Sequence, residues 1–317
     1  MKTISVIIVS WNARSYLRDC LDSIRQTGTS CVHEVIVVDN ASSDGSPEMV
    51  AEQFPEVTLI RSMENLGFAR ANNLAIKHAT GSMLALVNSD VIIHAGCLEK
   101  LAEFLEHNEN AGLIGPRIIG ADGNLQRTCR RLPSVWNNLC RTLAVDRVFS
   151  NCSILSGHEM RHFDHDSLAE AEVLSGCFWV ARRDAVDAVG GLDDRFFFYM
   201  EDVDWCKRFW DLGWKVMFVP EATAVHFGGA STSNAPFRYS IQYHRANLQY
   251  WQKYHGVAGQ CTYLLLAASH HGLRLLVRSL KRIVGLGMSA ESKHKFQEDI
   301  VCLRWLFMGK SPSEAAR

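Results

Sequence analysis

No G-x-G-x-x-G follows the first apolar run, and no G-x-x-x-x-G-K-[ST] occurs anywhere in the 317 residues. The first absence argues against a dinucleotide cofactor, the second against a P-loop nucleotide site. No C-x-x-C pair occurs among the ten cysteines, at positions 20, 31, 97, 129, 140, 152, 177, 206, 261 and 302. Zinc-ribbon and thioredoxin-like readings fall with it, and single cysteines in apolar surroundings suit a reducing cytosol. No 18-residue stretch is apolar enough to span a bilayer; the best, residues 256–273, carries Gln260, Thr262, Ser269, His270 and His271. The apolar run 4–9 ends at Trp11-Asn12-Ala13-Arg14, too early for a signal peptide, and no small-residue cleavage site follows. Charge of one sign is lacking too. A formal net charge of −1 provides no overall basic field, which argues against nucleic acid as a partner.

What is present is a chain that is 47% hydrophobic, enough for one large α/β domain with an appendage or for two modest domains. Residues 4–10 are a β-branched run of buried-strand length. Leu17, Cys20, Leu21 and Ile24 then recur at helical spacing as far as Gly28. Residues 34–39 read as a second strand, with Ser46 as N-cap and Pro47 opening a helix to Phe54. Strand 57–60, helix 67–79 and strand 83–87 follow. Four alternations of strand and helix with short links predict a parallel sheet with helices on both faces. Beyond residue 111 a hairpin about Asp122-Gly123, a strand at 173–180, a short helix at 183–189 and a strand at 214–219 are expected. Residues 133–167 lack clean periodicity and read as a lid, a binding loop or an irregular segment. Their His158, His162 and His165 match no metal-ligand spacing, so a solvated loop is expected there.

Ligands of such sheets bind beyond the carboxyl ends of the strands. Those ends carry Ser10 and Asn12, Asp39, Asn65 and Gly67, and Asn88 with Asp90. A second concentration of polar groups is Glu201-Asp202-Val203-Asp204, directly after the aromatic run Phe196-Phe197-Phe198-Tyr199. Aromatic walls exclude water and raise a neighbouring carboxylate toward a general base's working range. Three acids at a helix start also serve as a simple cap, worth about 0.3–1 kcal/mol.

The order of Val9-Ser10-Trp11-Asn12, Val37-Val38-Asp39-Asn40-Ala41-Ser42-Ser43-Asp44-Gly45-Ser46, Asn65-Leu66-Gly67-Phe68-Ala69-Arg70-Ala71-Asn72-Asn73 and Asn88-Ser89-Asp90 resembles glycosyltransferase family 2, the inverting enzymes of GT-A fold. The block from Gly176-Cys177-Phe178 through Glu201-Asp202-Val203-Asp204 to His226-Phe227-Gly228-Gly229 resembles its rhamnosyltransferase-like branch. The resemblance spans residues 3–232. It implies an α/β GT-A fold, a single Rossmann-like nucleotide-binding domain with a mixed, mainly parallel sheet, plus a helical C-terminal tail. The domain would run over 1–255, with a donor half at 1–120 and an acceptor half at 121–255, and the tail over 256–317.

By the same resemblance the chain transfers a sugar from a nucleotide-diphosphate donor to a hydroxyl of a glycan or polyprenyl-diphosphate-linked sugar. Best placed as donor is dTDP-L-rhamnose, with UDP- or GDP-sugars as alternatives. Ser10, Asn12, Asp39, Asn65, Gly67, Asn72 and Asn88 would line the donor site, with Asp39 on the base. Asp90 and His226 would hold Mn²⁺ or Mg²⁺; imidazole with carboxylate and phosphate oxygens suits either, tilting toward Mn²⁺. Asn88 stands where the family's D-x-D motif has its first Asp, one charge fewer for the metal. Asp202 would be the base, and Trp179, Glu201 and Asp204 would meet the acceptor. A non-catalytic sugar-nucleotide-binding protein is the alternative from another class, and the joint presence of Asp90, Asp202 and His226 argues against it.

Residues 256–317 hold nine Lys/Arg against four Asp/Glu, a local balance of +5 that leaves −6 for the rest. Leu273, Leu276, Val277, Leu280, Val284 and Gly287 fall on one helical face, and His271, Arg274, Arg278, Lys281 and Arg282 on the other. Such a helix, over 261–288, either lies on an anionic membrane or packs on the domain. The first choice would put a cytoplasmic protein at the inner face of the cell membrane.

Overall fold

The computed structural model describes residues 3–27, 30–228, 236–284 and 289–309. Strand β1 (Ile4–Ser10) leads into α1 (Arg14–Thr27), then β2 (Val32–Asp39), α2 (Ser46–Gln53), β3 (Thr58–Arg61), α3 (Gly67–His78) and β4 (Met83–Asn88). Helix α1 buries Leu17, Cys20, Leu21 and Ile24, the residues its period marked. Each such side chain removed from water contributes about 1.5–3 kcal/mol. Gly28 lies outside the described residues. The start of α2 differs from expectation by one position. Gly45, at φ 80°, is the cap residue, and Asp44 Oδ1 accepts from both the N–H and the hydroxyl of Ser46. The aspartate side chain holds that serine, so it is already helical rather than capping.

The remaining elements are β5 (Val91–Ile93), α4 (Cys97–His107), β6 (Ala111–Gly120), β7 (Leu125–Gln126), β8 (Cys129–Arg130), α5 (Val135–Thr142), α6 (Val145–Val148), β9 (Ala169–Glu170), β10 (Val173–Leu174), β11 (Phe178–Arg182), α7 (Arg183–Val189), α8 (Glu201–Asp211), β12 (Lys215–His226), α9 (Pro236–Ile283) and α10 (Ala290–Met308). The main sheet runs β3-β2-β1-β4-β11-β6-β12-β5. Its first four strands are parallel, as is β6 with β12, whereas β11 and β5 run against their neighbours. This is the mixed, mainly parallel GT-A-like sheet that the resemblance implied. The single strand expected over 173–180 is broken at Ser175-Gly176-Cys177: β10 leaves to pair with β8, and β11 joins the main sheet.

Strands β4 and β5 are separated only by Ser89-Asp90, yet stand four places apart in strand order. The sheet therefore curls back along β12, whose register shifts between Val219 and Thr223. Order β3-β2-β1 on one side of β1 and β4 on the other puts a topological switch point at the ends of β1 and β4.

The chain forms two compact units, Met1–Leu132 with Asp164–Ser231 and Pro133–Phe163 with Thr232–Arg317. The sheet occupies the first. In the second, α9 is interrupted at Gly256, whose φ of 63° and ψ of −159° are not helical. His244 and His271 bring their Nε2 atoms to 2.9 Å, although 27 residues of straight helix would separate them by about 40 Å. The chain therefore reverses at Gly256 into an antiparallel helical pair, against which α10 and α5 pack. Among the histidines expected in a solvated loop, His165 is fully buried, its Nε2 accepting from the N–H of Cys129 and its ring edge-on to Phe218.

Candidate donor and transfer site

Parallel register places Ser10 beside Asp39, and Val9 beside Asn88, so three of the expected donor residues share one end of the sheet. Ser10 and Asp39 are both buried, and Asp39 Oδ2 accepts from the N–H of Ser42 at 3.1 Å. Among the described residues, Ser10 Oγ and Asp39 Oδ1 have no hydrogen-bond partner. A buried polar atom left unpaired costs about 1–3 kcal/mol, so two at adjacent strand ends mark a place completed by something outside the chain. Asn12, at φ 50°, takes the N–H of Ser43 on its Oδ1 and gives its own N–H to Ser42 Oγ, tying the β1 and β2 end loops together.

Asn40, beside Asp39, orders the next loop. Its amide donates to Asn65 Oδ1 and Gly67 O and accepts from the N–H of Leu66. Gly67 is required in two ways. Its φ is 77°, and a Cβ there would sit 2.4 Å from Phe197 O, the carbonyl that accepts from the N–H of Phe68. Asn72 is buried and spends its amide on Phe68 O within α3. Asn73, which sequence reasoning passed over, reaches Leu192 in both directions and Asp194. The start of α3 is thus stitched to the segment that carries the acidic stretch.

Asp90 and His226 meet as expected. Asp90 Oδ1 lies 3.2 Å from His226 Nε2, while Asp90 Oδ2 accepts from the N–H of Gly228, whose φ is 69°. The tautomer follows from a residue missed in the sequence. Gln126 donates its amide to His226 O at 2.7 Å, so its Oε1 faces His226 Nδ1 at 2.9 Å and must accept that N–H. His226 Nε2 is thereby turned toward a carboxylate oxygen of Asp90. Their 3.2 Å separation suits a charge-assisted hydrogen bond and equally suits adjacent ligands of one octahedral ion. The donor set of imidazole and carboxylate fits Mn²⁺ or Mg²⁺.

The acidic stretch opens α8 after two successive left-handed residues, Tyr199 at φ 71° and Met200 at φ 69°. Such conformations cost of order 1–3 kcal/mol each in non-glycine residues. Glu201 is buried with Oε2 unpaired, and burial pushes its carboxyl well above the usual range, with Asp202 adding to the shift. Burial raises Asp202 as well, while the Arg130 guanidinium pulls the other way. Arg130, on β8, carries no signal in the sequence that marks it. Its positive charge favours the ionised form of Asp202.

Asp202 approaches the donor face through the β10–β11 connection: a Cβ at Gly176 would lie 3.5 Å from its own, and neighbouring Cys177 O accepts from the N–H of Asn88.

Asp204 and Trp179 do not join this group. Asp204 is fully buried and paired with Arg208 at 2.8 Å, and Arg208 also donates to Val189 O and Gly191 O. The Trp179 indole is fully buried, donates to Leu174 O and packs on Trp205 at 5.3 Å.

Unpaired polar atoms at a switch point and a carboxylate–imidazole pair mark this end of the sheet as the candidate site. The profile of Glycosyl transferase family 2 matches residues 5–190, and the chain belongs to that family. Its relatives include an L-rhamnosyltransferase. Over 279 residues the chain is 27% identical to the N-acetylglucosaminyl-diphospho-decaprenol L-rhamnosyltransferase of Mycobacterium tuberculosis, with 84% of this chain and 85% of the relative covered. Two solved structures share the fold. The mannosyltransferase PcManGT of Pyrobaculum calidifontis, in complex with GDP-Man and Mn²⁺, is 17% identical at a TM-score of 0.57, covering 98% of this chain and 88% of its own. GalNAc-T7 with UDP, GalNAc and Mn²⁺ is 15% identical at a TM-score of 0.58, covering 96% and 56%.

Proposed function

We propose that this glycosyltransferase moves a sugar, L-rhamnose from dTDP-L-rhamnose, with inversion, onto a hydroxyl of a polyprenyl-diphosphate-linked sugar. The observation that carries the reading is His226 Nε2 aimed at Asp90, with Ser10 Oγ and Asp39 Oδ1 unpaired at the ends of β1 and β2. Asp39 Oδ1 is placed to accept an N–H of the nucleotide base, and Ser10 Oγ to meet a polar group beside it. Asn12, Asn65, Gly67 and Asn72 hold the loops around the nucleotide, and Asn88 lies at its ribose or phosphate side. Asp90 and His226 would hold Mn²⁺ or Mg²⁺, which would neutralise charge on the departing diphosphate.

Inversion is a single in-line displacement, so one group must take the acceptor proton as the bond forms. Asp202 does this, its ionised form favoured by the Arg130 guanidinium. Glu201, whose protonated form burial favours, donates to an acceptor oxygen. Trp179 and Asp204 hold the surrounding wall and α8 in place, and we assign neither an acceptor contact.

The relative named for a decaprenol-linked acceptor supports a lipid carrier here, as does the surface of α9. Leu276, Val277, Leu280 and Ile283 are exposed there, Leu276 at 56% and Ile283 at 79%. His271 and Arg278, expected on the opposite solvent-facing side, turn instead to Asp299 of α10. That leaves Arg274, Lys281 and Arg282 for anionic headgroups. No helix among the described residues is long and apolar enough to cross a membrane. Gly287 lies outside the described residues. In this reading the protein works on the inner face of the cell membrane.

The test is transfer from dTDP-L-rhamnose, UDP-sugars and GDP-sugars to a synthetic polyprenyl-diphosphate N-acetylglucosamine, with wild type and Asp202→Asn. The variant is expected to lose roughly 10²–10⁴-fold in turnover with donor affinity kept. Near-wild-type turnover would remove Asp202 from the role, and transfer from another donor alone would overturn rhamnose.

A further inference from the structure

The helical unit contains a second cluster of metal-binding groups that sugar transfer does not use. His244 and His271 from the two arms of α9 and Cys302 from α10 each present one ligand atom, all within 4.8 Å of one another. All three side chains are buried. Helical geometry brings them together: the chain reverses at Gly256, and α10 closes the third side.

Both rings are oriented from behind. Asp299 Oδ1 lies 2.7 Å from His271 Nδ1 and accepts its N–H, and Arg278 in turn pairs with Asp299. Tyr263 Oη lies 2.8 Å from His244 Nδ1. With both Nδ1 atoms engaged, the two Nε2 atoms face each other at 2.9 Å. A carboxylate behind the imidazole is the arrangement that fixes ring orientation and raises ligand basicity at metal centres.

We propose that His244, His271 and Cys302 form a three-ligand site for one thiophilic divalent ion of the zinc class. Two imidazoles and a thiolate are ligands of borderline-to-soft character and select zinc over the hard cations suited to Asp90 and His226.

Without an ion, one Nε2–H bridges the two rings. Zinc with tetrahedral angles and about 2.0–2.1 Å to each nitrogen requires them about 3.3 Å apart, so the rings part by about 0.4 Å. The ion takes the place of that shared proton, which passes to Nδ1 of His244. His244 then donates its Nδ1–H to Tyr263, whose hydroxyl serves in either direction. The Cys302 proton leaves to solvent as the sulfur–metal bond forms. Burial holds His244 at about 3 and His271 at about 4, so both rings are neutral and available at pH 7. Burial also pushes the Cys302 thiol to about 12, so its ionisation depends on the ion. Arg141, Arg274 and Arg278 bear on these rings and oppose added positive charge, with Glu298 and Asp299 acting against them. The thiolate is accordingly a requirement rather than an accessory.

The experiment measures zinc by elemental analysis in the full chain, purified without a histidine tag, in wild type, Cys302→Ser and His226→Ala. Cobalt reconstitution of the same proteins is followed by absorption. Near one zinc per chain is expected in wild type and His226→Ala, with a thiolate-to-cobalt band that Cys302→Ser abolishes. Circular dichroism establishes that each variant is folded. Should Cys302→Ser be unfolded, Asp299→Asn takes its place, with a 10–100-fold loss of zinc affinity expected. Wild type that neither retains nor takes up stoichiometric zinc would make the cluster a hydrogen-bonded chain only and overturn the proposal. So would zinc lost with His226→Ala and kept in Cys302→Ser. Sugar transfer enters none of these readings, so the site stands or falls apart from the proposed activity.

Discussion

Two histidine pairs invite comparison: His226 with Asp90 at the end of β12, and His244 with His271 within α9. Both rings of interest are held from behind, by the Gln126 amide and by the Asp299 carboxylate respectively. They differ in what faces the free nitrogen. His226 faces a carboxylate oxygen, and the ends of β1 and β2 carry polar atoms that the chain leaves unpaired. His271 faces another ring, which satisfies it by sharing a proton. The first pair offers a carboxylate and an imidazole nitrogen to an added cation, whereas the second is closed already and admits one only by exchange. A functional pocket is therefore told less by its residue types than by which of its buried polar atoms lack a partner.

Chelation is the bluntest way to break the comparison. Exhaustive treatment is expected to abolish transfer, with Mn²⁺ or Mg²⁺ restoring it and Zn²⁺ alone failing to; activity untouched by chelator would remove the Asp90–His226 site. Next in size are the groups behind the rings. Gln126→Leu should raise the Mn²⁺ concentration for half-maximal activity by 10–100-fold and leave the zinc content unchanged. Asp299→Asn should do the reverse. If either substitution moved both readouts, the two pairs would not be independent.

A smaller effect is expected at Arg130. Its guanidinium opposes the upward pull of burial on Asp202, so Arg130→Gln should shift the acid limb of the rate profile to higher pH. An unmoved limb would separate Arg130 from the base. The smallest effect concerns Glu201, whose folded-state pKa is raised. Its protonated form stabilises the fold below the ordinary carboxylate range, and that contribution is lost as pH rises toward the folded value. Glu201→Gln should therefore match wild type in urea midpoint at low pH and exceed it at neutral pH. Parallel curves would contradict the assignment.

The sheet and its polar strand ends were readable because both depend on local order. Residues 4–10, 34–39 and 83–87 are continuous apolar runs, and Ser10, Asp39 and Asn88 come directly after the bonds that align them. Gln126 and Arg130 were not readable, since they act on His226 and Asp202 across long stretches of chain and nothing in their own neighbourhood marks them. The break at Gly176 was hidden because 173–180 is apolar throughout, and periodicity cannot tell one long strand from two short ones. His271 and Arg278 were misplaced for a related reason. A helical wheel separates faces by polarity, but α10 offers Asp299 and draws both residues inward. Glu201 and Asp204 look alike in sequence, and only burial and Arg208 tell their tasks apart.

Tyr199 and Met200 hold their left-handed turn at the threshold of α8, and there the molecule keeps tension in reserve. Glycine at either position would relax it. A laboratory search for heat-resistant variants should therefore find these two sites early, and the survivors should be sturdy and slow. The carboxylates beyond the turn would keep their chemistry but lose their aim.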